Sequence, residues 1–185
     1  MSLHADAVRV LEGWVAPGAA QETLRAGYLA HLAAHPDGIY KDGPAAHLTA
    51  SCFVLDPTGT RTLLTHHAKG GFWVQFGGHC ERGDLTLAGC AQREGREESG
   101  ISTLTLTVTG GPVDLDRHRL PAAFGRCREH LDVAYLAVLP FDTLPAVSQE
   151  SLDVAWFDLD ARPQGTVADL PGRLRRVAGL VAARR

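Results

Sequence analysis

The chain opens with helical periodicity and changes to strand alternation near residue 47. From Ala19 to Ala34, apolar side chains recur three and four residues apart, and a Pro-Asp-Gly turn at 36–38 follows. We therefore predict that residues 1–45 form a helical extension. A second amphipathic pattern, from Asp169 to Ala183, predicts a closing helix.

Between these helices, runs of β-forming residues predict a series of strands. Leu48–Leu55 and Arg61–His66 flank an Asp-Pro-Thr-Gly turn and predict a hairpin. Thr103–Thr109 alternates Thr with Leu and Val, which is the most regular half-buried pattern in the chain. The other predicted strands are 72–76, 113–119, 131–139 and 154–157. Because strands precede and follow a central helix at about 85–99, the pattern predicts a mixed sheet with helices packed on it.

Within the predicted central helix, the spacing of three carboxylates indicates a metal site. Glu94, Glu97 and Glu98 stand at i, i+3 and i+4, which places them on one side of the helix, where like charges repel. A bound cation would offset that repulsion, and oxygen ligands favour Mg²⁺ or Mn²⁺. A charged helix face is more often a solvated surface. The glycine turn at Gly77 and Gly78, which lets the backbone approach a ligand closely, favours the metal site instead.

The segment from Gly78 to Ile101 resembles the Nudix box. Its closing part matches the family motif at every position but one: Arg93, Glu94, Glu97, Glu98, Gly100 and Ile101 match, and Gly95 takes a place that is aliphatic in the family. Asp84 stands where the family has Glu, and eight residues instead of seven separate it from Arg93. Because a glycine inside a helix costs about 1 kcal/mol relative to alanine, Gly95 predicts close packing against a neighbouring element.

The resemblance implies the fold and the domain organisation. The expected fold class is α/β (α+β), a Nudix-like α/β/α sandwich with a mixed β-sheet. Residues 46–185 would form the Nudix hydrolase domain, and residues 1–45 would be an N-terminal helical extension that packs on it. The extension could cap the sheet or mediate a homodimer.

The resemblance also implies the residues of a catalytic metal site. Arg93 would orient the glutamates. The expected ligands of Mg²⁺ or Mn²⁺ are Glu94, Glu97, Glu98 and the carbonyl of Gly77. Three candidates for the general base remain open: Glu150 before the last predicted strand, Glu98 on the helix, and Glu129 as a third choice.

Three further residues are candidates for substrate binding. His79 directly follows Gly78 and could donate a hydrogen bond to a phosphate. His130 and Asp132 share one face of a predicted strand, so they could project into the site together. The alternative for both histidines is a neutral ring that packs and makes ordinary hydrogen bonds.

Composition limits the class of protein. A chain of 185 residues is long enough for one domain with a core, and a net charge of −3 gives no reason to expect nucleic-acid binding. The sequence has no apolar run of membrane-spanning length and no pattern of a signal peptide. Its four cysteines are widely spaced without a Cys-x-x-Cys pair, which disfavours a zinc site or a disulfide framework and favours reduced thiols in the cytoplasm.

These observations favour one function and leave two alternatives. The expected function is a Mg²⁺-dependent hydrolase that cleaves the pyrophosphate linkage of a nucleoside diphosphate linked to another moiety. The alternatives are a nucleoside triphosphate pyrophosphatase and a non-catalytic, Nudix-fold regulatory module that binds a nucleotide. Modules that have lost activity typically lose box glutamates, and all three closing glutamates are present here.

Overall fold

The computed structural model describes residues 1–107, 111–121, 125–148 and 151–183. Its helices are α1 (Leu3–Gly13), α2 (Ala19–Ala34), α3 (Leu87–Ser99) and α4 (Leu170–Ala182). Its strands are β1 (Ala46–Leu55), β2 (Arg61–His67), β3 (Phe72–Val74), β4 (Phe76–His79), β5 (Asp114–Arg119), β6 (Glu129–Val138) and β7 (Ser151–Asp158). None of the helices in these ranges combines the length and apolar character needed to cross a bilayer.

The described strands form one mixed, seven-stranded sheet with β1 at its centre. β1 runs parallel to β6 over its whole length. On its other side it pairs antiparallel with β4 along residues 49–52 and with β2 at residues 54–55. β5 lies beyond β6, whereas β3 and β7 both pair with β2. The expected mixed sheet is confirmed.

Alternate residues of β1 face two different helical layers. Leu48 and Ala50 belong to the core formed with α1, α2 and α3, whereas Phe53 and Leu55 belong to the core formed with α4. On this second face, the N-terminal half of β1 is polar, with His47, Thr49 and Ser51, all buried. The polar half-strand lies beside β4. The turn expected at Gly77 and Gly78 was wrong, because both glycines lie within β4 and pair with β1.

The N-terminal helices pack on the same domain and support two of its elements. The buried carboxylate of Asp6 in α1 accepts the Leu87 N–H at 2.9 Å, which satisfies a donor at the start of α3. In α2, the Gln21 side chain exchanges two hydrogen bonds with the backbone of Leu115, at 2.7 and 2.9 Å, along β5. These contacts fit an extension that packs on the domain; the division at residue 45 and the homodimer remain predictions.

Local turn chemistry accounts for the elements that the sequence predicts well. α2 begins and ends where the pattern predicts, and α4 does so within one residue. The β1–β2 turn is held by Asp56, whose Oδ1 accepts the N–H groups of Thr60 and Arg61, each at 2.9 Å. Gly59 supplies the left-handed conformation there, with φ of 70°.

Two strand predictions need correction because strand partners are set by distant residues. The single strand expected over 72–76 is divided at Gln75, since β3 pairs with β2 and β4 pairs with β1. The strand expected over Thr103–Thr109 was wrong for its described part, 103–107, which makes only a bridge between Leu106 and Ala137. β5 already occupies that edge of β6 up to Ala134, so only the last residues of β6 remain open. Residues 108–110 lie outside the described ranges.

A buried ion network joins α4 to the polar face of the sheet. Arg173 in α4 is 4% exposed and donates to Asp114 on β5 at 2.6 Å and to Asp132 on β6 at 3.2 Å. Asp132 also accepts hydrogen bonds from Thr49 at 3.1 Å and Ser51 at 2.6 Å. The network therefore satisfies the hydroxyls of Thr49 and Ser51 on β1 and fixes how α4 docks.

We expect Arg173→Ala to lower the free energy of unfolding by about 3–5 kcal/mol, because it removes the buried cation that pairs with Asp132 and leaves Asp114 with Arg176 alone. Urea denaturation monitored by circular dichroism measures the change. The matched control is Arg175→Ala on the exposed side of the same helix, for which we expect a change within about 0.5 kcal/mol. Equal effects of the two substitutions would contradict a structural role for the network.

Candidate active site

The strand β4, the loop at 80–86 and α3 form one continuous unit, in which α3 has well-defined ends. Thr86 is the N-cap of α3, and its Oγ1 accepts the Gly89 N–H at 2.9 Å. Gly100 ends the helix in the left-handed conformation, with φ of 67°. The predicted helix therefore begins two residues later than expected, at Leu87, and ends at Ser99 as expected.

Arg93 is the centre of the polar contacts in this unit. Its Nη1 donates to Glu94 at 2.9 Å and to Glu97 at 3.0 Å, so one nitrogen joins two of the three closing glutamates. Its Nη2 donates to the backbone carbonyl of His79 on β4 at 3.0 Å. The position of Arg93 agrees with the expected role of orienting the glutamates, which remains a prediction.

Asp84, which stands where the family motif has Glu, pairs with Arg93. Arg93 Nε donates to Asp84 Oδ1 at 3.1 Å, and Nη2 donates to Oδ2 at 2.9 Å. This two-point geometry suits a planar guanidinium. Burial acts to raise the pKa of Asp84, but the hydrogen bonds from Arg93 and from the Glu81 N–H, together with the charge of Arg93, hold the pKa below its ordinary value. The same contact with Asp84 raises the pKa of Arg93 further, so the pair stays ionised.

The three glutamates differ in exposure and in their backbone neighbours. Glu98 is 4% exposed and accepts the Gly77 N–H at 2.8 Å. The Glu94 carboxylate lies against Gly78, where an added Cβ would come within 2.8 Å of its oxygens. Glu97 is the outermost, with 59% of its side chain exposed. Glycine at position 78 is therefore needed for the close approach of Glu94 to β4.

Gly95 shows the close packing that the sequence predicts. A Cβ at this position would lie 3.3 Å from Leu104 and 3.5 Å from Cys52, so the helix approaches the sheet closely at this point. An aliphatic side chain, as in the family motif, would not fit without a shift of these neighbours.

A cleft of about 510 Å³ lies along this unit, and a recess of about 120 Å³ adjoins it. The cleft is lined by Gly77 and Gly78 of β4, by the three glutamates and by Lys41, His79 and His130. Thr49, Ser51, His130 and Asp132 line the recess. The lining of the cleft therefore combines acidic side chains of α3 with one lysine and two histidines.

The candidate substrate-binding residues lie near the cleft in different environments. His79 and His130 line the cleft itself and are partly buried. Asp132 is 3% exposed, and its carboxylate is engaged by Arg173 and two hydroxyls, so it reaches only the recess. Glu129 pairs with Arg117 at 2.6 Å on β6. Glu150 lies outside the described residues.

Two residues near the cleft were missed by the sequence analysis. His47 and Cys127 lie with His79 and His130 in a cluster whose potential ligand atoms are all within 4.8 Å of one another. The local signal was that Cys127 and His130, both of residue types that bind zinc, lie three residues apart. His47 carries no local signal, because it reaches the cluster through the pairing of β1 with β6.

The glutamate unit has a donor set that fits a hard divalent ion. It offers carboxylate oxygens from three residues within one and a half turns, next to the backbone of Gly77 and Gly78. Glu94, Glu97, Glu98 and the Gly77 carbonyl would hold the ion.

The comparisons with known proteins identify the family of the chain. The family profile described as NUDIX domain matches residues 45–175. The chain belongs to the Nudix hydrolase family, whose members are pyrophosphohydrolases.

Solved structures show the same fold. An Ap4A hydrolase from C. elegans, in a binary complex, is 20% identical with a TM-score of 0.57, covering 74% of this chain and 98% of that one. The E. coli dihydroneopterin triphosphate pyrophosphohydrolase is 18% identical with a TM-score of 0.58, covering 74% and 95%. A MutT Nudix hydrolase from Burkholderia pseudomallei is 24% identical with a TM-score of 0.54, covering 71% and 98%. No curated protein matches the chain by sequence.

We expect Gly78→Ala to weaken binding of Mn²⁺ by about 10- to 100-fold, the range that displacement of a ligand's supporting contact usually costs. The added Cβ would push the Glu94 carboxylate away from β4. Isothermal titration of the folded variants with Mn²⁺ measures the affinity.

Gly83→Ala is the matched control, because an added Cβ there meets no atom within 4 Å. If both variants bound Mn²⁺ as tightly as the parent, Glu94 would not be a ligand in the position described.

Proposed function

We propose that this protein is a Mg²⁺- or Mn²⁺-dependent hydrolase that cleaves the pyrophosphate linkage of a nucleoside diphosphate linked to another moiety. The observation that supports this most directly is the arrangement of Glu94, Glu97 and Glu98 along the cleft, with Arg93 joined to two of them. A cleft of about 510 Å³ has room for a ligand of nucleotide size.

The residues of the cleft fit the demands of this reaction. A divalent ion, when bound, would neutralise charge on the phosphate oxygens and lower the pKa of water. Arg93 holds the carboxylates in place and keeps its own charge through Asp84. Lys41 also lines the cleft and could bind a phosphate oxygen.

Glu98 is our candidate for the general base. Its carboxylate is fixed by the Gly77 N–H, lines the cleft and is mostly shielded from solvent. A base must lie within hydrogen-bond reach of the proton it removes, and a fixed carboxylate at the cleft wall meets that condition better than Glu129, which is paired with Arg117. Glu150 stays an untested alternative.

The size of the cleft and the substrates named for related structures support this substrate class. The solved relatives include one hydrolase named for Ap4A and one named for dihydroneopterin triphosphate, so relatives of this fold act on substrates with polyphosphate groups. In this protein His79 and His130 line the same cleft as the glutamates. A cleft of about 510 Å³ has room for a second group beyond the diphosphate.

We expect turnover with Mg²⁺ on nucleoside diphosphates linked to a sugar, an alcohol or a second nucleoside, with release of a nucleoside monophosphate. Product analysis by chromatography across such a panel, with nucleoside triphosphates alongside, measures this. Faster turnover of triphosphates, with release of pyrophosphate, would replace our proposal by the triphosphate pyrophosphatase alternative.

We expect Glu98→Gln to reduce kcat by roughly 10³-fold or more, because it removes a charge from the ion site and a candidate base. Glutamine keeps an oxygen that can accept the Gly77 N–H, so the fold should be retained. Steady-state kinetics on the best substrate of the panel provide the measurement.

The control is Glu12→Gln, an exposed residue of α1 with the same change of charge, for which we expect unchanged kinetics. Full activity of Glu98→Gln would rule out both assigned roles of Glu98.

A further inference from the structure

A compact group of imidazole and thiol side chains lies on the face of the sheet opposite the acidic helix. We call this group, His47, His79, Cys127 and His130, the histidine–cysteine cluster. His47 on β1 is the direct register partner of His130 on β6. His79 is the last residue of β4 and pairs with Thr49, two residues along β1 from His47. Strand alternation therefore directs the three rings to one face.

The donors of the cluster are distinct from the glutamates, although His79 and His130 also line the cleft that the glutamates line. Gly78 faces Glu94 on the α3 side of β4, and the next residue, His79, faces His47 and His130 on the other side. Two sets of donors thus lie on opposite faces of one short strand. The first consists of carboxylates, and the second of nitrogen and sulfur atoms.

The hydrogen bonding of His47 leaves one nitrogen as an unused lone pair. Its Nδ1 lies 3.0 Å from the carbonyl of Pro44, and because a carbonyl can only accept, Nδ1 carries the proton. In a neutral ring Nε2 is then an acceptor, and it is buried with no hydrogen-bond partner within the described part of the chain. A metal-bound histidine characteristically donates its other N–H to a carbonyl in this way.

His130 repeats this unsatisfied state. Its Nε2 is also buried and has no hydrogen-bond partner among residues that the structure describes. Leaving a buried polar atom unpaired costs about 1–3 kcal/mol, so two such atoms in one cluster indicate a ligand. Ring packing at centroid distances of 4.9 to 5.3 Å accounts for the shape of the cluster but satisfies neither nitrogen.

The separations of the donor atoms are close to those of a tetrahedral site. His79 Nε2 and Cys127 Sγ lie 3.9 Å apart, and all four donors lie within 4.8 Å of one another. In a zinc site with Zn–N of about 2.0 Å and Zn–S of about 2.3 Å, donors lie roughly 3.3–3.6 Å apart. Inward movements of about 1 Å would complete that geometry.

We propose that the histidine–cysteine cluster is a four-ligand structural site for Zn²⁺ or a similar ion that prefers nitrogen and sulfur. Three imidazoles and one thiolate select such an ion over Mg²⁺, and four protein ligands leave no open position for substrate. On binding, Cys127 releases its thiol proton to solvent as the Zn–S bond forms. The ion would join β1, β4, β6 and the segment before β6.

This site assigns His79 and His130 to metal binding in place of direct contact with a substrate. It does not rest on the proposed hydrolysis, because a structural ion at this position would hold the cleft wall whatever the substrate is. Its test therefore uses the protein without substrate.

The test is a titration of the untagged, chelator-treated full chain with Co²⁺, which reports the ligand set through its optical spectrum. We expect one Co²⁺ per chain with intense visible bands of tetrahedral coordination and a near-ultraviolet thiolate charge-transfer band. Cys127→Ser should abolish the charge-transfer band and weaken binding by more than about 100-fold, since even supporting contacts are worth 10- to 100-fold.

Two controls separate this site from other donors. Cys80→Ser removes a similarly buried thiol beside His79 and should keep the band. The double variant Glu97→Gln/Glu98→Gln should also keep it, because it alters only the glutamate site. Absence of the band in the parent, or its retention in Cys127→Ser, would overturn the proposal.

A second measurement avoids dependence on any variant. In mild denaturant, Zn²⁺ should slow alkylation of Cys127, read by mass spectrometry of its peptide, by at least about tenfold, because the bound thiolate is not free to react. Mg²⁺ should have no such effect. Equal alkylation rates with the two ions would contradict the proposed site.

Discussion

The candidate active site depends on the contacts of one guanidinium. Arg93 binds Asp84 in the loop between β4 and α3. It also binds the carbonyl of His79 on β4, and Glu94 and Glu97 on its own helix. It therefore fixes a loop, a strand and a helix to one another through a single planar group. A lysine could supply the charge but not the fork of donors that makes these contacts simultaneous.

Arg93 also explains how acidic residues can gather at this point. Asp84, Glu94, Glu97 and Glu98 stand close together here, and without a cation their repulsion would favour separation. Arg93 offsets part of this charge but contacts only some of the carboxylate oxygens. Glu98 accepts a hydrogen bond from the Gly77 N–H and lines the cleft.

The parts of the structure that could be predicted from sequence are those set by local spacing. The helical positions of Glu94, Glu97 and Glu98 follow from the helix repeat, and the capped ends of α3 follow from Thr86 and Gly100. The alternation at 103–107 was equally regular but misleading, because a strand also needs an open partner edge. That edge was occupied by β5, and no local pattern contains that information.

The histidine–cysteine cluster likewise could not be predicted from local sequence patterns. His47 and His130 are distant in sequence and become neighbours only because β1 and β6 pair in parallel with one particular register. A shift of one residue would turn one of them to the opposite face of the sheet. The absence of a Cys-x-x-Cys pair was the reason to expect no zinc site. That reason concerns ligands that are close in sequence, and it does not apply to ligands that strand pairing brings together.

The polar half of β1 connects this cluster to the rest of the fold. Along one face of the strand, His47 is followed by Thr49 and Ser51, which bind Asp132, and then by Phe53 in the α4 core. Such a buried polar layer would be replaced by apolar residues if stability alone were decisive. The polar layer lies beside β4. Gly78 of β4 contacts Glu94 on one face, and His79 contacts His47 and His130 on the other. A functional role therefore explains the buried polar layer better than stability does. Oxygen donors and nitrogen–sulfur donors kept on opposite faces of one strand allow two ions of different chemistry to bind without competing for ligands.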